Sequence, residues 1–404
     1  MNRREKIAVI GGSIGGILAG VLLQRAGYAV NVYERVGTAL SSRGAGIVTH
    51  PELISIMEEV GAGEVARLGV ETSRRRLLAG DGSVSIDFPR HQIQASWNGI
   101  YNALRQQLAE GSYHPDHDLQ TLEAGPDQVV ARFSNGTVVA ADILVGADGI
   151  GSRVRQQIFP SVAPDYVGYV GWRGIVDFDA LSSASRSILE DAFTMALPGD
   201  EQFVGYPVPA AAGDEGAAGE RYNFVWYRPA PAETDLVDLL TDSDGRTHAG
   251  NIPPPLIRAD VTQRLRAFAE ANLPPALAEV VRETRQPFLQ PIYDLESTQL
   301  RSGRVVVLGD AAFVARPHVG AGVTKAAADA QCLVASLLGA PSVDAALAAY
   351  EEQRLREGCR ILQQARRLGE NIGHSGRGCS PATLLDETAW LDFMRDTDTT
   401  ELAT

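Results

Sequence analysis

His318 follows Pro317 in a glycine-rich loop, and an imidazole in such a place has the near-neutral intrinsic pKa needed to take a proton from a hydroxyl. Arg173, in the stretch YVGWRG, and Tyr206, in QFVGYPVP, suit the complementary task of hydrogen-bonding an oxygen and stabilising negative charge that develops on it. These three form the candidate catalytic set. The plainer roles are a turn brace for His318 and sheet core for Tyr206. A second set, the carboxylates Glu34, Asp148 and Asp310, stands at the ends of three apolar stretches, where acids meet sugar hydroxyls or brace loops around phosphate.

The elements that must position these groups can be read from the pattern around them. Val305 to Leu308 predicts a buried strand, which turns at Gly309-Asp310 and passes through the Pro/Gly-rich loop into an Ala-rich helix. A strand, an acid at its carboxyl end and a helix N-terminus with free N–H groups form the kind of crevice that holds phosphates and cofactor rings. The N-terminal region repeats the plan: the strand IAVI, the turn Gly11-Gly12-Ser13-Ile14-Gly15-Gly16, a helix, and a second strand ending in Glu34. That is a βαβ dinucleotide pattern, in which glycines admit a pyrophosphate and the acid takes a ribose hydroxyl. Ser13 replaces its middle glycine. A third stretch, ILVGADGIGSRVR, places Asp148 and Gly149 at a strand end, with Ser152, Arg153 and Arg155 on the turn that follows.

Beyond Glu34 come Arg35 and a second glycine-rich loop, 41–46, which contains Arg43 and suits the lining of an extended cofactor. His50, ahead of the helix ELISIMEEVG, is a candidate cofactor or substrate contact. Arg74, Arg75 and Arg76 read as a solvated strand edge before a hairpin at Gly80-Asp81-Gly82. From Tyr166 to Tyr293 the chain becomes strand-like and aromatic. Trp172, Phe203, Tyr206 and Trp226 are grouped closely enough to form one wall of a pocket for a flat, apolar molecule, although aromatics are also good strand formers. Segments 210–220 and 241–255 read as loops, and 260–272 and 275–285 as helices. The run from Ser342 to His374 predicts one or two amphipathic helices, and the residues around Trp390 a short docked helix or subunit contact.

The 404 residues suffice for two or three domain-sized units with a sizeable core. A formal charge of −14 with no compensating basic patch argues against nucleic acid or an anionic membrane as partner. Cys332, Cys359 and Cys379 show neither disulfide nor metal-site spacing, so no metal is expected and a reducing compartment is. With no signal-peptide core and no apolar run of membrane-spanning length, the expected location is the cytoplasm.

GGSIGG with Glu34, ILVGADGIGSRVR and VVVLGDAAFVARPHVGAGVTKAAADA, in this order and at these separations, resemble the three motifs of the single-component FAD-dependent aromatic hydroxylases of the para-hydroxybenzoate hydroxylase type. The resemblance runs over about residues 5–370. YVGYVGWRG, YPVP, YNFVWY and RPHVGAG look most like the 2,6-dihydroxypyridine hydroxylase branch. It implies an α/β fold: a Rossmann-like FAD-binding domain (1–75, 97–165 and 291–375), an inserted, mainly antiparallel sheet for substrate (76–96 and 166–290), C-terminal helices and a tail (376–404). It also implies tightly but non-covalently bound FAD, NADH or NADPH as transient reductant, and O2 activation through a flavin C4a-hydroperoxide that hydroxylates an electron-rich aromatic or hydroxypyridine ring. The expected cofactor residues are Gly11, Ser13, Ile14, Gly16, Glu34, Arg35, Arg43, Asp148, Asp310, Pro317, Gly320, Ala321, Gly322 and Val323. Substrate contacts are expected from His50, Trp172, Phe203, Tyr206 and Trp226, and a homodimer is compatible with the tail. Three positions depart from the common pattern: Phe313 for histidine, Thr324 for asparagine, and Tyr101 where others place an arginine facing the cofactor. The rival readings are a flavin halogenase or reductase on the same fold, or a non-catalytic flavin-binding protein. A W-x-W-x-I-P signature, which a halogenase would carry, is absent.

Overall fold

The computed structural model describes residues 5–37, 46–64, 69–210, 219–370 and 372. The apolar stretches that end in the three acids pair in parallel, as strands buried on both faces do. Lys6–Ile10 lies between Ala29–Tyr33 and Ile143–Gly146, and Val305–Val307 joins the far side of Ile143–Gly146. Tyr113–His114 extends this sheet in parallel, and Arg301–Ser302 closes its other edge antiparallel. Because the four central strands point the same way, Glu34, Asp148 and Asp310 all emerge at one edge of the sheet. Strands lie about 4.8 Å apart, so the three intervals from Glu34 to Asp310 span roughly 14 Å. Val305 to Leu308 have no exposed surface, and each such side chain contributes roughly 1.5–3 kcal/mol of burial energy. The helices Ile14–Arg25 and Gly322–Gly339 cover the sheet and supply Ile17, Leu18, Ala327 and Leu333 to one core.

The inserted sheet has nine strands among the described residues, in the order Phe313–Val314, Phe288–Glu296, Asp165–Asp177, Glu220–Pro229, Gln202–Pro209, Ala192–Ala196, Val70–Leu78, Val84–Ser96 and Gly46–Thr49. It is antiparallel except where Ala192–Ala196 meets Val70–Leu78. The expected boundaries at 75/76 and 290/291 therefore cut through strands, and residues 46–49 and 313–314 also join the insert. A strand belongs wholly to the ladder it pairs with, whatever domain its motif suggests. Residues 119–141 form a separate three-stranded sheet.

Side chains alternate across a strand, so the insert has two faces of different character. Trp172, Phe203, Phe224 and Trp226 pack with Leu265 and Leu277 from the helices Ala259–Asn272 and Pro275–Glu283. Tyr169, Val204, Tyr206, Val225 and Tyr227 form the opposite face. The amphipathic C-terminal run is one helix, Val343–Leu368. Phe313, one of the departures from the common pattern, packs its ring where a Cβ on Gly358 would come within 2.4 Å. Among the described residues no helix is long and apolar enough to cross a membrane. Arg43, Cys379 and the tail 376–404 lie outside the described residues.

Candidate active site

At the sheet edge, Gly11 adopts φ 107°, and a Cβ on it would lie 2.3 Å from the Ala147 carbonyl oxygen. A Cβ on Gly16 would lie 1.9 Å from the Gly11 carbonyl oxygen, so the turn and the following helix can approach this closely only as glycine. The cleft this opens is lined by Gly11, Ser13, Glu34, Arg35, Asp148 and Gly151. Ser13 is the N-cap of Ile14–Arg25 but spends no side-chain hydrogen bond on the cap, leaving its hydroxyl and the first-turn N–H groups facing an anion-binding space. Glu34 accepts from the N–H groups of Gly12 at 2.7 Å and Val36 at 3.0 Å, which fixes its carboxylate at the rim. The Ile14 side chain is buried in the core, so only its backbone can serve a ligand.

Asp148 accepts from the Ser152 hydroxyl and from the N–H groups of Arg153 at 2.7 Å and Val154 at 3.1 Å, capping the helix Arg153–Ile158. Burial raises its pKa, and these hydrogen bonds oppose the shift. Arg155, in that helix, is neither a ligand contact nor a surface charge. It has no exposed surface, and its guanidinium donates to the carbonyls of Ile150 at 2.5 Å, Ala311 at 3.0 Å and Val162 at 3.3 Å. It thereby ties the loop after Asp148 to the loop after Asp310. Asp310 opens to the cavity, yet protein encloses the rest of its carboxyl; the lost solvation raises its pKa and Lys325 pulls it back. Beneath that loop, the buried Asp329 accepts from Gly309 N–H at 2.9 Å and Arg354 Nε at 2.6 Å, while Lys325 Nζ donates to the Gly309 carbonyl at 2.7 Å. Tyr101 does not face the cleft: it is buried, stacks on Trp97 and meets the Tyr113 hydroxyl at 3.2 Å. Trp97 is the residue of its helix that lines the cleft.

At Gly149–Gly151 the cleft adjoins a cavity of about 300 Å³, which Ile150 also lines, between the loop Ala315–Val323 and the insert. His50, Arg173, Tyr206, Asp310, Pro317, His318 and the backbone from Gly320 to Val323 line it. Trp172, Phe203 and Trp226 do not. Their backbones register with one another across three strands, with Trp226 opposite both Trp172 and Phe203, and all three side chains point into the helix-covered core. The adjacent rows supply the cavity instead: Arg173, Val225 and Val204 in one, Gln290, Gly171, Tyr227 and Gln202 in the next. Strand alternation would have found Tyr227 and Gln202, since they share the parity of Val225 and Tyr206. Arg75 also lines the cavity, only 4% exposed and 5.0 Å from the Phe193 ring, so the expected solvated edge is limited to Arg74 and Arg76, which pair with Asp87.

The arrangement around His318 corrects its assignment as a base. Nδ1 lies 2.8 Å from Gln202 Oε1 and Nε2 lies 2.8 Å from the Tyr169 hydroxyl. An amide oxygen only accepts, so Nδ1 carries the proton and Nε2 accepts from Tyr169. Burial, reinforced by nearby Arg316, pushes the imidazole pKa down to about 3. A neutral ring whose lone pair is already engaged has nothing with which to abstract a proton. Tyr206 donates to the Gly46 carbonyl at 3.1 Å and stacks on Phe193, and burial raises its pKa to about 12, so it remains a neutral phenol. His50 meets the Gly320 carbonyl oxygen at 3.3 Å. Arg173 has no hydrogen-bond or ion-pair partner among the described residues, and its Nε is buried without one.

A parallel sheet with a dinucleotide edge, leading into a cavity under an antiparallel sheet, defines an oxidoreductase that holds an extended nucleotide cofactor. Residues 166–294 match the family described as FAD binding domain-like. The chain is 32% identical over 382 residues to the 2,6-dihydroxypyridine 3-monooxygenase of Paenarthrobacter nicotinovorans, covering 92% of each chain. The solved structure of 2,6-dihydroxypyridine-3-hydroxylase from Arthrobacter nicotinovorans superimposes with a TM-score of 0.87 at 30% identity, over 95% of this chain and 96% of that one. The chain is also 26% identical to the 6-hydroxynicotinate 3-monooxygenase of Pseudomonas fluorescens, over 89% of this chain and 90% of the relative. The chain belongs to the FAD-dependent aromatic hydroxylase family. It is an FAD-dependent aromatic-ring monooxygenase that uses O2 and NAD(P)H, which sets aside the halogenase, reductase and non-catalytic readings. The residues present fit FAD: the glycine turn that a Cβ would fill and the uncommitted Ser13 hydroxyl lie in one cleft, and the open Asp310 carboxyl in the cavity that adjoins it at Gly149–Gly151.

Proposed function

We propose that this enzyme hydroxylates a small hydroxypyridine, or a closely related phenol, bound as its anion. The observation that carries the reading is Arg173, a half-buried cation in the cavity with no partner among the described residues. A charge so placed is costly without a counter-ion, and an aryl oxyanion supplies one. The relatives that act on 2,6-dihydroxypyridine and 6-hydroxynicotinate support the same class of ring.

FAD, when bound, supplies the reductive activation of O2 and delivers one oxygen atom to the ring. Glu34 would hold its ribose, Asp148 would brace the loop at its pyrophosphate, Asp310 would meet its ribityl or pyrophosphate portion, and Gly320, Ala321 and Gly322 would present backbone to its ring. Arg173 lowers the pKa of the substrate hydroxyl through its charge, so the ring enters as an oxyanion without a dedicated base. Keeping that charge on the ring raises electron density at the carbons to be attacked. Val204, Val225 and Met195 exclude water that would divert the oxygen atom. The loop Ala315–Val323 stays rigid through His318 and through the Arg316–Asp294 pair, with N···O distances of 3.0 Å. The same reading places the enzyme in the cytoplasm, supported by free Cys332 and Cys359. The enzyme is a homodimer in this reading, which sedimentation of the holoenzyme tests.

The deciding experiment adds 2,6-dihydroxypyridine, 6-hydroxynicotinate and hydroxybenzoates to the yellow holoenzyme and follows NADH or NADPH oxidation. The expected outcome is strong stimulation by a hydroxypyridine, with a product one oxygen atom heavier. Stimulation by none of them would overturn the proposal.

A further inference from the structure

Resting on that reading of the cavity, we propose that Gln202 is a specificity-determining residue, its amide N–H groups held towards a hydrogen-bond acceptor of the substrate by a directed chain from Tyr169 through His318. Gln202 lines the cavity and is only 5% exposed. Its Oε1 accepts from His318 Nδ1 at 2.8 Å, whereas its Nε2 has no partner among the described residues and is not sealed from the cavity. With the oxygen engaged, the group left to meet a ligand is a donor.

The direction of the chain follows from its other end. The Arg316 guanidinium sits over Tyr169, 5.9 Å from the ring centroid, and is anchored by Asp294. A guanidinium only donates, so the tyrosine oxygen faces positive charge and its proton points away, to His318 Nε2 at 2.8 Å. His318 is then left with its proton on Nδ1, and Gln202 with its amide oxygen towards that proton. Gly369 closes the chain from behind: a Cβ there would lie 2.7 Å from the Tyr169 hydroxyl and 2.9 Å from His318 Nε2. Only glycine at this position leaves room for the Tyr169–His318 contact.

Sheet register sets what Gln202 recognises. Gln202 stands opposite Tyr227, which stands opposite Gly171, and Arg173 lies two residues further along the Gly171 strand on the same face. Two strand intervals of about 4.8 Å and two residues of about 3.3 Å put the Gln202 and Arg173 backbones roughly 12 Å apart, and these two long side chains, reaching in from the same face, narrow that span to the scale of a six-membered ring with substituents on both sides. Arg173 thus meets the oxyanion while Gln202 meets a second acceptor on the same ring, a carbonyl-type oxygen or a ring nitrogen lone pair. A simple phenol, which lacks the second acceptor, leaves the Gln202 donor unsatisfied and is discriminated against.

The test titrates the holoenzyme with 2,6-dihydroxypyridine, following the flavin absorbance, and measures KM and kcat in NAD(P)H oxidation. Gln202→Met, which keeps the length and removes the donor, is expected to weaken binding about 10- to 100-fold, as the loss of a hydrogen bond to a charged or strongly polarised group does. FAD content should stay near wild type, and the loss should fall more on KM than on kcat. Gln202→Glu keeps the acceptor for His318 but presents a carboxylate to the ring, and should bind more weakly still. Tyr169→Phe should weaken binding in the wild-type background and have no further effect in the Gln202→Met background. Unchanged binding in both Gln202 variants would overturn the proposal, as would additive effects of Tyr169→Phe and Gln202→Met. A wild-type enzyme that neither binds nor turns over any hydroxypyridine would overturn the functional reading instead, which separates the two failures.

Discussion

Arg173 is where residue-scale chemistry decides most. Arg173→Met retains much of the apolar stem and removes the charge, so the oxyanion loses its partner in a cavity largely shielded from water. The expected result is a fall in kcat/KM of about 100-fold or more, of the size found when an oxyanion donor is removed. FAD content by absorbance should not change, because the lost group faces the substrate. His318 offers a pH test with a definite sign. Its folded pKa, about 3, lies below that of the unfolded chain, so the stabilisation is complete above the unfolded value. It is lost as pH falls from about 6.5 towards 3, at a rate of at most about 1.4 kcal/mol per pH unit. His318→Asn should flatten the acid limb of a denaturant-derived stability profile over that window. A profile parallel to wild type would show that the ring is not buried in its neutral form.

At the scale of elements, the cleft depends on loops that are braced from behind. Arg155 satisfies three carbonyls on three segments, the loop before its own helix, the turn after it and the loop after Asp310, and has no carboxylate within hydrogen-bond reach among the described residues. Arg155→Met would leave those carbonyls unpaired, at a cost of roughly 3 kcal/mol or more. FAD should dissociate more readily at the same time, since the tied loops are those that flank the cofactor cleft. Equilibrium unfolding and FAD release on dilution check both expectations. The contact between Phe313 and Gly358 joins a short strand to the long C-terminal helix, and Gly358→Ala forces the ring to shift. That substitution should cost about 1–3 kcal/mol by overpacking, read as a lower melting temperature.

For the molecule as a whole, the cofactor cleft runs from the edge of the parallel sheet to the underside of the nine-stranded sheet. FAD bound along it should therefore stabilise the fold as a unit. With FAD present at about 1,000 times its Kd, the native state gains about 4 kcal/mol, so the apoprotein should melt well below the holoenzyme. Scanning calorimetry of the two forms checks this, and identical transitions would be the contrary result.

How much of this was legible beforehand differs between the two sheets for a physical reason. The parallel strands are buried on both faces, so each is a continuous apolar run, and the glycines and acids that end them are fixed by local backbone geometry. Gly11, Gly16, Glu34, Asp148 and Asp310 could thus be found from spacing alone. The insert is antiparallel with two different apolar faces, one against helices and one against the cavity, and aromatic residues suit both. Composition therefore placed Trp172, Phe203 and Trp226 in the pocket, when register turns all three the other way. Alternation groups Gln202 with Tyr206 and Tyr227 with Val225, but which face meets the cavity needed the strand pairing, and the neutrality of His318 needed partners distant in sequence, Tyr169 and Gln202. The sequence by itself determined the nucleotide edge and the chemistry it serves, because those depend on contacts between near neighbours in the chain. Only the tertiary structure decided which face of each inserted strand meets the substrate and which ring nitrogen holds the proton, because both depend on contacts between residues far apart along it.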